Sequence, residues 1–388
     1  MTFKAVLWNE SGARVTELEP LPLRPRDALV RVEACNVGSA EATALLFMPG
    51  SPPPEKGPPP GDDPPPAAPP PLPPHIPGHA AVGVVEETGP AAQGVKVGDR
   101  VLMVGTANCG TCHFCQRGRF DQCARMVQFG PATARTRDGA EVHPLGYLGG
   151  FAELAAVPDI QLVPVTTDLP ADQLALIPNP VCTGVGAALR TAPVEPGSVV
   201  AVVGCGPVGL SYVQAARLAL AAQIIAIDPL PHRREAALRL GATTAVNPTE
   251  VDPVEAVMDL SGDVGGINQG RGADFVFEVA RKARAVEQAW AMTRSAGHLT
   301  LAGLSEDPGA TVTFPMVEFS NHGKTVHSCQ QGSLRMRRDL PWMVRLAEQG
   351  QLDLKAMAER SYGLDEVVQA MRDVGDCSVL GASVVPAG

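Results

Sequence analysis

Four cysteines, Cys109, Cys112, Cys115 and Cys123, run C-x2-C-x2-C-x7-C through a stretch dense in glycine and polar residues. Four thiolates converging from one short loop suit a tetrahedral Zn2+ with no open coordination position, so the quartet is expected to hold a structural ion and to do no chemistry itself. Disulfide pairing is the competing reading and fits poorly. The chain has nine cysteines, an odd number, and its start, MTFKAVLWNE, shows no basic-then-apolar signal segment, which points to a reducing cytoplasm. A second constellation is Gly204-Cys205-Gly206-Pro207-Val208-Gly209, preceded by the apolar run SVVAVV (198–203) and followed by the helical run LSYVQAARLALA. Gly204 allows a tight turn, Gly206 lets the backbone approach a pyrophosphate, and Gly209 lets helix pack close to strand. Pro207 and Val208 then open the helix, whose N-terminal N–H groups and dipole favour an anion. A lone G-x-G-x-x-G is weak evidence, but here a second strand, QIIAI (223–227), ends in an acid, Asp228. That carboxylate is placed to accept from the ribose hydroxyls of NAD(H) and to repel a 2′-phosphate, with Arg233 and Arg234 near enough to offset part of the repulsion.

The elements that must position these residues follow two rhythms. Residues 1–35 alternate like short strands, β patterns resume at Ala81 (AVGVVEETG, DRVLMVG), and FAELAAV continues them to 157. From about Leu174 to 305 helix-like and strand-like segments alternate, the signature of βαβ units and a parallel sheet, so the fold class is α/β. Helical patterns return at 338–349 and 364–373. The segment from Pro49 to Pro77 holds 16 prolines in 29 residues and reads as an extended loop. At 388 residues the chain is long enough for two cores. Hydrophobic residues make up 45%, yet no apolar run reaches the length of a membrane span, and a net charge of −10 argues against a nucleic-acid or anionic-membrane partner. Aromatics at 4% leave the cores to Val, Leu and Ala.

With these motifs the chain resembles the zinc-containing medium-chain alcohol dehydrogenases, nearest the branch of thiol-dependent formaldehyde dehydrogenases. The resemblance runs through IPGHAAVGVVEETG (76–89), KVGDRVL (96–102), GGFAEL (149–154), TGVGAALRTAPVEPGSVVAVVGCGPVGL (183–210) and GADFVFEVA (272–280). It implies a GroES-like, β-rich catalytic domain made from both chain ends and a Rossmann-fold coenzyme domain with a doubly wound parallel sheet. The boundaries it suggests are 1–180, with a zinc lobe at 105–125 and the proline-rich insertion at 49–77, then 181–320, then a return at 321–388. It further implies NAD(H), a small-molecule substrate in the cleft between domains, a homodimer or homotetramer, and two zincs per subunit, one structural and one catalytic.

At the catalytic zinc the sequence departs from the family. Gly38 stands where the first ligand, a Cys, is expected, Ala40 where a proton-relaying Ser or Thr is expected, and Asn179 where the third ligand, Cys or Asp, is expected. The second ligand position keeps its histidine, His79, although its acidic neighbour has become Ala80. Glycine supplies no ligand atom, and a neutral amide oxygen is a poor donor to zinc beside thiolate or imidazole. The expectation is an NAD(H)-dependent oxidoreductase with one structural zinc and no catalytic one, with His79 as acid or base, Glu41 in the family's acidic position and Asn179 as a hydrogen-bonding partner for an oxyanion. Two rivals stay open: a zinc enzyme with displaced ligands Cys35, His79 and Cys182, and a nucleotide-binding protein without turnover. The basic run Arg335-Met336-Arg337-Arg338 reads as a solvated helix start.

Overall fold

The computed structural model describes residues 2–39, 41–42, 72–105, 108–126, 129–265, 270–303 and 309–386. Most of the proline-rich insertion, residues 49–71, lies outside them.

Strand-forming alternation at the N-terminus builds two β units. A small closed barrel joins Phe3–Asn9, Gly12–Pro20, Ala134–Arg135, Glu141–Pro144 and His75–Ile76. Beside it a seven-stranded sheet runs in the order Leu162–Pro164, Arg100–Val104, Ala80–Thr88, Asp27–Val37, Ala382–Val384, Arg360–Tyr362, with Leu154–Pro158 also pairing to Asp27–Val37. The antiparallel register Ala382 to Val37 and Val384 to Cys35 brings the C-terminal residues back onto the early strand, so this domain is made from both chain ends.

The middle of the chain forms a six-stranded sheet in the order Thr244–Val246, Gln223–Ile227, Val199–Val203, Ala273–Glu278, Thr293–Leu301, Thr325–Ser328, every pairing parallel. Helices Pro207–Leu218, Pro231–Leu240, Pro253–Leu260 and Ala283–Met292 make the crossovers. This is the doubly wound order that reverses direction at its first strand, where ligands of such sheets sit. Its sixth strand falls beyond the boundary expected at residue 320. Four residues, Thr325 to Ser328, with two of them exposed, carry too little apolar pattern to be seen without their partner strand.

The largest apolar cluster fills the junction of the two domains, drawing Val82, Leu102 and Val104 from the seven-stranded sheet, Val200 and Phe277 from the parallel one and Tyr212 from the helix Pro207–Leu218. Tyr212 stacks on Phe277 with ring centroids 4.5 Å apart. Arg337 ties the helix Met336–Glu348 to the edge of the seven-stranded sheet. It donates through Nε to the carbonyl of Leu162 at 3.1 Å and through Nη2 to the carbonyl of Asp159 at 2.5 Å. The run 335–338 opens the helix Met336–Glu348 with Arg335, Arg337 and Arg338 exposed, the solvated helix start expected, and Arg337 adds these carbonyl contacts.

Candidate active site and metal site

The zinc lobe is a knot of short turns. Single-turn helices at Cys115–Arg117 and Phe120–Gln122 fold the cysteines toward one point, helped by Gly110 and Gly118 at φ +74° and +76°. The four Sγ atoms lie within 4.8 Å of one another, close to the roughly 3.8 Å separation of sulfurs each about 2.3 Å from a tetrahedral zinc. Backbone N–H groups already face the sulfurs: Cys109 donates to Cys123 at 3.4 Å, and Cys115 and Ala124 donate to Cys112 at 3.5 and 3.4 Å. Such donors hold thiolates in place around an ion. All nine cysteines are free, and the quartet is the one metal-sized group of His, Cys, Asp or Glu among the described residues. The lobe docks through Asn108, which accepts from the Met336 N–H at 2.9 Å, and through Phe120, beneath the Arg335 guanidinium at 4.9 Å.

The glycine turn is built as its spacing suggests. Gly204 has φ +94°, and a Cβ on Gly209 would lie 1.9 Å from the Gly204 carbonyl oxygen, so only glycine lets helix meet strand there. Gly206 precedes the helix that Pro207 and Val208 open, and the nearest atoms a Cβ on it would meet belong to the Arg233 guanidinium, at 3.8 Å. Asp228 is 2% exposed and accepts from the Cys205 and Leu230 N–H groups, each at 2.8 Å. Arg233 reaches 3.9 Å from it, with a buried Nε that has no partner among the described residues. Arg234 turns away and donates to the carbonyls of Asp228 and Pro229. The open backbone at Gly206, the acid at the strand end and a cation over the turn fit a dinucleotide.

His79 immediately precedes the strand Ala80–Thr88, and its side chain is mostly buried. Its Nδ1–H donates to Glu41 Oε1 at 2.5 Å, and its Nε2 accepts from the Asn179 amide nitrogen at 2.5 Å. Glu41 comes from the turn after Asp27–Val37, and Asn179 from the kink within Ile177–Val181, where its φ of −176° breaks the helical run. Gly38 closes the group: a Cβ there would lie 2.9 Å from Glu41 Oε2 and 3.0 Å from His79 Cε1. Burial pushes the imidazole pKa down, but the charge and hydrogen bond of Glu41 outweigh it, and the pKa stands above its ordinary value. Glu41 Oε2 is buried without a hydrogen-bond partner among the described residues.

The structure thus brings His79, Glu41 and Asn179 together and leaves Cys35 and Cys182 elsewhere. Cys35 packs into the apolar cluster of the β domain, in line with Gly78 and Gly150, where a Cβ would come within 2.8 and 2.6 Å of its sulfur. Cys182 belongs to the interdomain cluster and donates to the Pro178 carbonyl at 2.9 Å. Burial raises the Cys182 thiol to about 12. Two residues near the ends of the parallel strands carry no sequence signal of function. Glu278 closes the fourth strand, and burial lifts it to about 7 against the N–H groups of Arg281 and Ala280. Gln331 follows the sixth strand, with its amide oxygen buried and unpartnered among the described residues.

Comparison with known proteins agrees with this architecture. Residues 24–167 match the alcohol dehydrogenase GroES-like domain and residues 207–349 the zinc-binding dehydrogenase domain. An S-(hydroxymethyl)glutathione dehydrogenase of Escherichia coli O1:K1 is 32% identical over 305 residues, spanning 76% of this chain and 80% of the relative. Benzyl alcohol dehydrogenase from Acinetobacter calcoaceticus superposes over the full length of both chains with a TM-score of 0.83 at 26% identity. An alcohol dehydrogenase zinc-binding domain protein from Burkholderia ambifaria shares the fold over both full lengths, with a TM-score of 0.85 at 24% identity. No helix among the described residues is long and apolar enough to cross a membrane. The chain belongs to the zinc-type medium-chain dehydrogenases of the alcohol dehydrogenase superfamily, and is an NAD(H)-dependent oxidoreductase with a structural zinc site in its cysteine quartet.

Proposed function

We propose that the enzyme moves a hydride between NAD(H) and an activated small molecule, with His79 and no second zinc managing charge at the reacting centre. Candidate substrates are a conjugated carbonyl, an iminium or an activated carbinol. A thiol-bound hydroxymethyl group, as in the name of the Escherichia coli relative, is a carbinol of that last kind. One observation carries the reading: the hydrogen-bonded series Glu41–His79–Asn179 beside a glycine that has no ligand atom. The donor set does not fit a catalytic zinc, because a metal on His79 Nε2 would have to displace the Asn179 amide and would then find a single imidazole with no thiolate beside it.

When bound, NAD(H) supplies or accepts the hydride. The protein's part is the proton. Glu41 fixes the imidazole by accepting from Nδ1, which leaves Nε2, once the substrate oxygen takes the place of the Asn179 amide, as the atom that gives or takes a proton. Asn179 serves both charge states, since its NH2 donates to a neutral Nε2 and its carbonyl, after a half-turn of the amide, accepts from a protonated one. Without a Lewis acid to stabilise an alkoxide, unactivated primary alcohols are poor substrates. Asp228 favours NAD(H) over NADP(H).

The test is His79→Ala with its zinc content measured alongside. A loss of roughly 10²–10⁴-fold in turnover, with zinc still at one per chain, is the result expected of a proton-transferring imidazole. Turnover close to wild type would show that His79 only packs.

A further inference from the structure

The backbone after the sixth parallel strand winds against the preference of L-amino acids. Gln331, Gly332 and Ser333 have φ of +46°, +70° and +54°, three successive residues in the left-handed region, which is unfavourable for any residue with a Cβ. Gly332 is required for a second reason, since a Cβ there would lie 2.2 Å from the Cys182 carbonyl oxygen. The segment is gripped from several sides. The Cys329 N–H donates to the Leu301 carbonyl at 3.0 Å, the Ser333 and Thr191 hydroxyls pair at 2.9 Å, and Gly332 presses on Gly186, whose own Cβ would approach it to 2.6 Å. Such conformations persist where the surroundings over-determine them, and they gather at binding sites.

What the winding delivers is the Gln331 side chain. A Cβ on Gly105 would lie 3.5 Å from Gln331 Nε2 and 3.6 Å from His79 Cβ, so the two side chains flank the same glycine. Gln331 also follows the carboxyl end of a parallel strand, the edge along which ligands of doubly wound sheets lie. Its Oε1 is buried and accepts no hydrogen bond among the described residues. A buried acceptor with no donor is costly, and a ligand that supplies the donor gains what the free protein lacks.

We propose that Gln331 is a ligand-positioning residue of the cleft, whose Oε1 accepts a hydrogen bond from an N–H or O–H of the bound cofactor or substrate. This rests on the placement of the cleft at His79. Two ligand groups have that chemistry, the carboxamide N–H of the nicotinamide and a hydroxyl of the substrate, and they are separable by measurement.

Gln331→Met keeps the length of the side chain and removes the acceptor; Gln331→Glu keeps an acceptor. NADH affinity is read by fluorescence titration, and KM is read with S-(hydroxymethyl)glutathione and with cinnamaldehyde. A rise of roughly three- to tenfold in the NADH Kd of the Met variant, largely restored in the Glu variant, assigns the bond to the carboxamide. The same rise in KM at constant NADH Kd assigns it to the substrate. Unchanged Kd and KM in the Met variant overturn the proposal. So do equal losses in both variants, because a packing role would not distinguish an acceptor from a thioether. His79→Ala in the same assays keeps the two readings apart: wild-type turnover there would move the proton-transfer site away from His79, while the NADH titration would still decide for or against Gln331.

Discussion

The Glu41 carboxylate decides what His79 does at neutral pH. Burial alone would hold the imidazole neutral, and the carboxylate at 2.5 Å reverses that. The sign of the pH dependence follows. In the direction of reduction the protonated imidazole is the acid, so kcat/KM should be level below the raised pKa and fall about tenfold per pH unit above it. Oxidation needs the neutral form and should show the mirror limb. Glu41→Gln removes the opposing charge and leaves burial in command, so the limb of the reduction profile should move to lower pH. A profile that stays where it was would show that some other group titrates. Stability runs with the same sign: a raised histidine pKa contributes stability that is complete below about 6.5 and disappears as pH rises through the folded value, so the melting advantage of wild type over Glu41→Gln should shrink toward alkaline pH. At the cofactor end the residue that matters is Asp228. Asp228→Ala removes both the ribose acceptor and the charge that opposes a 2′-phosphate, and should narrow the gap between NADH and NADPH affinity. Tighter NADPH than NADH binding in the wild type would undo the assignment.

Among the elements, the zinc lobe stands most by itself. Its sulfurs form a small cluster of their own with Phe120, Met126 and Ile160, apart from the large cores. Four ligands within a span of fifteen residues leave little else to fix the turns, so Cys112→Ser should release the metal and loosen residues 108–126. Hydrogen exchange across the lobe, with zinc analysis, reads both effects. Retained zinc would mean the quartet is not the site. The lobe was legible in the sequence because its information is local: ligand type and spacing suffice. The glycine turn was legible because its spacing between strand and helix is itself a local pattern, with Gly209 answering Gly204, although Gly204 also answers Ala280 far along the chain. The kink at Asn179 and the left-handed turn at Gln331–Ser333 were not. Their backbone angles are imposed by partners far away in the chain, Gly332 by Cys182 and Gly186, and no periodicity records that.

At the scale of the molecule, the division into a β domain made from both chain ends and a central parallel sheet was legible from the change of rhythm near residue 174 and from family motifs. The end of the central domain was not, because strand Thr325–Ser328 is recognisable only by its pairing with Thr293–Leu301. The interdomain cleft is where these two kinds of information meet. The family resemblance puts Gly38, His79 and Asn179 at three ligand positions from stretches as far as 141 residues apart in the chain, 179 minus 38. The fold brings them together, with Gly38 open toward the ring of His79 and Asn179 on its Nε2. That convergence permits a reverse test. A cysteine at 38 would start from a Cβ 3.0 Å from His79 Cε1 and 3.7 Å from Nε2, so a small outward shift would bring its sulfur to the metal side of the ring. A cysteine at 179 would free Nε2 and add a second thiolate, while Glu41 would continue to hold the imidazole from behind, as carboxylates do behind zinc-binding histidines. The double variant Gly38→Cys, Asn179→Cys should therefore raise the zinc content from one to two per chain, and the second ion should leave first under a chelator. A double variant that still holds one zinc would mean the three positions do not converge as the fold indicates. Two zincs in the wild type would overturn the proton-transfer mechanism itself, because the hydride chemistry would then have a Lewis acid that His79 had been asked to replace.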